Sequence, residues 1–196
     1  MNRTGTTARR LADLEAENRA LREEVAHWRQ RAEQLDRLAD QDPLTGLLNR
    51  RAFIRELSRG LAFCRRYAAT GSLLYLDVDN LKQINDGHGH GAGDAALLHV
   101  AEVLTANTRA CDLVGRIGGD EFAVVLQQAG ADAANRKADE LRRRAEAEPV
   151  LYHGARLTVS LSVGQHLFDG TQTPEATIDG ADRAMYAGRQ RGRAGR

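Results

Sequence analysis

The sequence has few residues that staple or break a chain, and no excess of charge of either sign. Its two cysteines, Cys64 and Cys111, stand far apart without metal-ligand spacing. That excludes a disulfide framework and suits a reducing compartment, and both read as small buried hydrophobes. Three prolines in 196 residues leave long stretches open to helix. No run approaches the roughly 18 consecutive apolar residues of a membrane span, and Met1 to Glu17 lacks the apolar core of a secretory signal. The chain therefore reads as soluble and cytoplasmic, with no membrane partner. With 28 basic against 27 acidic residues, the net charge is +1. The basic excess of a duplex-binding protein is missing, which argues against nucleic acid as a partner. Lysine is nearly absent too: all basic residues but Lys82 and Lys137 are arginine. The length fits one good-sized domain plus an appendage, dividing near Asp42-Pro43 into residues 1–41 and 42–196.

The appendage has heptad order. From Ala8 to about Asp40 there is neither Gly nor Pro, and Leu11, Asn18, Val25, Ala32 and Ala39 fall at position a, with Leu14, Leu21, Trp28 and Leu35 at d. In a parallel dimer the flanking pairs are Arg10 with Glu15, Glu17 with Arg22, Glu24 with Arg29, and Arg31 with Asp36, all of opposite sign. An apolar heptad alone also suits one face of an ordinary amphipathic helix; the charge pairs favour a coiled-coil homodimer. Asn18 at an a position can pair with its symmetry mate and fix a parallel two-stranded register. The stalk would run roughly 45–50 Å at 1.5 Å per residue. Ala32 and Ala39 thin its core just before the domain.

Pro43 disfavours helix at Asp42 and ends the stalk. Beyond it the spacing predicts helix over 49–69, strand over 72–79, a helix starting at 81–85, a Gly-rich loop over 86–93 and a longer helix to about 105. Strands over 113–117 and 122–127 follow, joined by a turn at Gly118-Gly119, then helix over 131–148 and a last main strand over 156–166. Thr173 as N-cap and Pro174 at the first helical position open a final helix to about 191. Hairpins mixed with crossovers exclude a purely parallel sheet.

Two acidic features carry chemistry. The apolar strand Leu73 to Asp79 ends in the carboxylates Asp77 and Asp79, and the hairpin tip reads Gly118-Gly119-Asp120-Glu121, with glycines able to take positive φ. Singly, each is an ordinary turn or cap. If the strands are neighbours, Asp77 and Asp120 converge into a hard oxygen donor set suited to Mg²⁺, and Lys82 lies close in sequence to meet phosphate. The combination points to metal-assisted phosphoryl or nucleotidyl transfer.

These residues resemble a known family. Gly118-Gly119-Asp120-Glu121-Phe122 is the signature of the GGDEF domain of diguanylate cyclases. Asp42-Pro43-Leu44-Thr45-Gly46-Leu47-Leu48-Asn49-Arg50-Arg51, Asp77-Val78-Asp79 through Lys82, Asn85 and Asp86, Gly89-His90 and Gly93-Asp94 agree in order and spacing. The resemblance implies an α+β fold with a palm-like central mixed β-sheet flanked by helices, as in class III nucleotide cyclases, here preceded by a long N-terminal coiled-coil helix. It implies condensation of two GTP into cyclic di-GMP with release of two pyrophosphates. Carried over by position, Asp77, the Val78 carbonyl and Asp120 resemble the Mg²⁺ ligands, with Mn²⁺ as a possible substitute. Glu121 resembles a catalytic carboxylate that accepts the 3′-hydroxyl proton or helps hold metal. Asn85 and Asp94 resemble guanine readers, and Lys82 and His90 the remaining substrate contacts; a capping or packing role for His90 stays open.

The resemblance has departures. Arg189 stands where the family usually has a phosphate-binding lysine, while Arg193 matches its arginine. At i and i+4 the two can share a helix face and grip phosphates, although a solvated basic C-terminus has the same composition. Arg109-Ala110-Cys111-Asp112 has the RxxD spacing of the family's inhibitory product site, implying product inhibition through Arg109 and Asp112. A product with two equivalent phosphodiester links suits two domains face to face across a two-fold axis. A sensory partner acting through the stalk is open, as is a weak or inactive module that only binds GTP or cyclic di-GMP.

Overall fold

The computed structural model describes residues 18, 21–28, 31 and 39–194, with side chains to Gln190. The chain falls into two compact units, Met1–Asp40 and Gln41–Arg196. In the first, Asn18, residues 21–28 and Arg31 are helical and exposed. Leu21, Val25 and Trp28 of the expected seam thus present apolar surface to solvent in the single chain. Leu11, Leu14, Ala32 and Leu35 lie outside the described residues.

The second unit is built on a five-stranded sheet in the order β1-β3-β4-β2-β7. Its strands are β1 (Leu48–Asn49), β2 (Gly71–Asp79), β3 (Leu113–Arg116), β4 (Glu121–Gln127) and β7 (Ser160–Phe168). Only β1 with β3 is parallel; the β3-β4, β4-β2 and β2-β7 pairs are antiparallel. This is the mixed sheet expected. Five helices follow in chain order: α1 (Arg50–Tyr67), α2 (Leu81–His88), α3 (His90–Ala106), α4 (Ala131–Ala147) and α5 (Pro174–Ala194).

Strand β2 reads as a continuous apolar run because both of its faces are covered. Leu74, Leu76 and Val78 pack with Phe122 and Val124 of β4 against Ile84, Ala96, Val100 and Leu141 from α2, α3 and α4. Leu73 and Tyr75 turn to the other face, where they meet Phe53, Leu57 and Cys64 of α1 and Ile178, Ala181 and Met185 of α5. By the period-two alternation of a strand, Asp77 and Asp79 share the side of Tyr75 and α5.

Local capping sets the boundaries. The Asn49 side chain accepts from the Ala52 amide and opens α1, and Thr173 Oγ1 accepts from the Ala176 amide and opens α5 behind Pro174.

The expected Gly-rich loop over 86–93 is two helices meeting at Gly89, whose φ of 85° breaks the path. Gly91 and Gly93 are helical, and their missing side chains admit the Tyr152 hydroxyl and the Asn85 amide. Composition suggested a loop; close packing is what the glycines provide. The expected strand over 156–166 is likewise divided. Residues Val150–Tyr152 (β5) and Ala155–Leu157 (β6) form a separate hairpin, turned by His153 and Gly154, both with positive φ. Cys64 is buried as expected, but Cys111 is exposed, since it lies in the turn before β3 rather than on a core face. Among the described residues no helix is long and apolar enough to cross a membrane.

Candidate active site

The acidic strand end and the acidic hairpin tip lie side by side. Strands β2 and β4 pair with Asp77 opposite Glu121, and the Val78 amide donates to the Asp120 carbonyl at 3.0 Å. The turn closes on Glu121, whose carbonyl accepts from the amides of Ile117 at 2.9 Å and Gly118 at 3.2 Å. Neither Gly118 nor Gly119 takes the positive φ expected of it. Gly118 leaves room for the Glu121 carboxylate instead: a Cβ there would displace it from its place in the site. Arg116 braces the turn from beneath, donating to the Gly119 carbonyl at 2.6 Å and to Asp42 at 3.1 Å. Asp42 also accepts from the Thr45 amide and hydroxyl, at 2.8 and 2.7 Å.

Asp77 does not face an open cluster of acids. Its Oδ1 accepts from Arg189 Nη1 at 2.8 Å, and Arg189 Nη2 reaches Asp79 Oδ1 at 2.9 Å. Asp79 is further fixed by Ser162 Oγ at 2.7 Å and Ser160 Oγ at 3.3 Å. Burial pushes the Asp77 carboxyl up, the Arg189 guanidinium opposes this, and the charges of Asp120 and Asp79 reinforce it, so it titrates above the ordinary aspartate value. Among the described residues no three acidic, histidine or cysteine side chains are gathered closely enough to hold an ion. The donor chemistry nevertheless fits a divalent cation. Asp77 carries hard oxygens, feels two further carboxylates, and already recruits a cation from α5.

Tyr75 is a supporting residue that sequence reasoning missed. It is buried two positions before Asp77 on the same face, and burial followed by a hydrogen bond to Glu121 raises its phenol well above the ordinary value. Asp79 belongs with Asp77 to the acidic strand end expected from sequence, without a role of its own there; on the same face, it is the second carboxylate that Arg189 reaches.

Around this centre, Lys82 stands exposed in the first turn of α2 and His90 exposed at the first position of α3. Asn85 Oδ1 is buried with no hydrogen-bond partner among the described residues, lying where a Cβ on residue 93 would be. Asp94 follows Gly93 and is exposed, so the two expected base readers sit on adjoining turns of α2 and α3. The side chain of Arg193 lies outside the described residues, although α5 continues through its position. At the RxxD segment the Arg109 side chain is exposed, whereas Asp112 is engaged in the turn, accepting from the amides of Arg109 at 3.0 Å and Gln127 at 3.1 Å. A cavity of about 580 Å³ adjoins the site at the β7 edge, lined by Asp79, Ser160, Ser162, Arg142, Glu146 and Arg189 among others. Asn85 and Asp94 are outside that cavity.

The sequence pattern described as "Diguanylate cyclase, GGDEF domain" matches residues 39–195. The chain belongs to the GGDEF family. Diguanylate cyclase TpbB of Pseudomonas aeruginosa is 37% identical over 193 residues, which is 95% of this chain and 44% of that protein. Diguanylate cyclase DosC of Escherichia coli is 39% identical over 153 residues, 78% of this chain and 33% of that protein. The GGDEF chain thus spans less than half the length of these curated relatives. Among solved structures, the coiled coil and GGDEF domain of DgcB from Caulobacter crescentus, in complex with c-di-GMP, superposes with a TM-score of 0.83 at 29% identity, covering 91% of this chain and 95% of that one. Diguanylate cyclase SiaD in complex with its activator SiaC, from Pseudomonas aeruginosa, gives 0.78 at 30% identity over 96% of this chain and 73% of that one.

Proposed function

We propose that the chain is a diguanylate cyclase acting in the cytoplasm, joining two GTP into cyclic di-GMP with release of two pyrophosphates. The observation that carries the proposal is the pairing of Asp77 with Glu121 across β2 and β4, with Asp120 in the turn between. Asp77, the Val78 carbonyl and Asp120 would hold Mg²⁺, or Mn²⁺ in its place. When bound, such an ion would offset charge growing at the α-phosphate and lower the pKa of the attacking 3′-hydroxyl. Glu121, held by Tyr75, takes the proton of that hydroxyl. Asn85 and Asp94 bind the guanine edge: a carboxylate accepts from its ring N–H and exocyclic amine, and an amide pairs with its remaining polar edge. The buried, unpartnered amide oxygen of Asn85 is consistent with a polar group kept for a ligand. His90 and Lys82 contact nucleotide and phosphate, and Arg189 and Arg193 bind the distal phosphates.

Each domain presents one GTP, so turnover requires two domains. Residues 1–41 form a parallel coiled-coil stalk that keeps the second domain at high local concentration and constrains its orientation. The exposed Leu21, Val25 and Trp28, and the coiled coil in the similar DgcB structure, support this reading. Product binds at Arg109 and Asp112 and inhibits: Arg109 is free to meet guanine or phosphate, while Asp112 orients the turn that carries it. An activating protein can enter through the stalk, as SiaD has an activator in its complex.

Purified protein incubated with GTP and Mg²⁺ should release pyrophosphate and a cyclic dinucleotide. Absence of both, at a concentration where the protein is dimeric, defeats the proposal. Retained GTP binding without turnover would indicate the binding-module alternative.

A further inference from the structure

Arg189 spans two carboxylates that point the same way from one strand, with Nη1 on Asp77 at 2.8 Å and Nη2 on Asp79 at 2.9 Å. The two anions are not held alike. Asp79 is tied to β7 by Ser160 and Ser162, whereas among the described residues no other donor reaches Asp77. A planar guanidinium can bridge carboxylates two strand positions apart; the single ammonium of a lysine is a point charge without that fork. Open space adjoins the bridge, since Arg189 stands late in α5 and lines the roughly 580 Å³ cavity at the β7 edge.

We propose that Arg189 is the internal cation of the metal-free site: it neutralises Asp77 and Asp79 until a nucleoside triphosphate draws its guanidinium away and frees Asp77 for the metal. Metal and nucleotide then bind as a unit, because metal alone must displace a bidentate cation while the triphosphate offers that cation a new partner. The proposal rests on Asp77 being a metal ligand. Arginine at position 189 thus suppresses metal binding in the absence of GTP.

The test uses the full chain and Mn²⁺ alone, with bound ion read from the loss of the free-ion electron paramagnetic resonance signal. Arg189→Gln should bind Mn²⁺ at least tenfold more tightly than the unaltered protein, and Arg189→Lys should fall between them. The same Arg189→Gln protein should bind an α,β-methylene GTP analogue with Mg²⁺ at least tenfold more weakly by calorimetry. Opposite signs in the two titrations support the proposal; a residue that merely stabilises the fold would weaken both. Unchanged or weaker Mn²⁺ binding by Arg189→Gln overturns it. Asp77→Asn separates the two possible failures. If that substitution abolishes Mn²⁺ binding while Arg189→Gln does not tighten it, the metal site stands and the role of Arg189 falls. If Mn²⁺ binding ignores Asp77, both fall.

Discussion

Single residues set the chemistry through what they leave out as much as through what they supply. Gly93 is helical, and alanine there should favour the helix by up to about 1 kcal/mol. Its Cβ, however, would occupy the place of the Asn85 amide oxygen. Gly93→Ala is therefore expected to keep or raise the melting temperature while weakening GTP binding about tenfold or more and eroding preference for GTP over ATP, measured by calorimetry with both nucleotides. Equal GTP affinity would remove Asn85 from the base site. Asp120 is the complementary case. It stands partly exposed in a turn whose closure uses backbone groups, so Asp120→Ala should leave the fold intact and reduce cyclic dinucleotide formation by at least a hundredfold. The acids themselves were legible from sequence, because their residue types and spacing state their chemistry. The Arg189 bridge was not: its partner Asp77 lies 112 residues away in the chain, and only the packing of α5 on the sheet brings Arg189 to it and to Asp79.

At the scale of elements, the site depends on two close approaches. A Cβ on Gly164 of β7 would strike the α5 backbone at Ala181 and Met185, so the helix lies directly on the strand. Gly164→Ala should cost about 1–3 kcal/mol through overpacking and lower the melting temperature by several degrees. Because Arg189 follows Met185 on that helix, the Arg189 bridge should loosen with it. The second approach is the brace from Asp42 through Arg116 to Gly119. Burial raises the Asp42 carboxyl, but hydrogen bonds from Thr45 and the Arg116 charge outweigh it, so the group titrates below its ordinary value. An acid depressed in the folded state stabilises fully above its unfolded value, near 3.9, and loses that stabilisation as pH falls through the lower folded value. Asp42→Asn should thus cost about 1–2 kcal/mol at neutral pH and narrow toward zero difference in acid, followed by denaturant melts over a pH series. A constant difference across pH would detach the brace from the Asp42 charge. The long elements were legible because periodicity and caps act over many residues, as in β2 and α5. The β5-β6 hairpin and the Gly89 junction were not, since three-residue strands carry no period and a glycine chosen for packing looks like one chosen for a turn.

For the whole molecule, the sequence divides charge into complementary flanks on residues 1–41 and the carboxylates Asp77, Asp79, Asp120 and Glu121 in the second unit, the division falling just before Asp42. Asp42 is also the outer end of the Arg116 brace that holds the Gly118-Gly119 turn. A shift in the proposed stalk would reorient two domains relative to each other, whereas a stalk without that control would supply proximity alone. Insertions between Leu35 and Asp42 separate these two roles. Seven added residues preserve heptad phase and move the domain along the axis, whereas four shift the seam and turn the domain about it. Both variants should remain dimeric by light scattering if the proposed seam through Leu21, Val25 and Trp28, which they leave untouched, holds the dimer. If orientation controls catalysis, the four-residue insertion should change turnover severalfold while the seven-residue insertion stays near the parent. Equal turnover in all three would mean that the stalk supplies proximity alone. A Trp28→Ala variant gives the matching control: it weakens the seam, so its lost activity should return as protein concentration rises, whereas activity lost to misorientation should not.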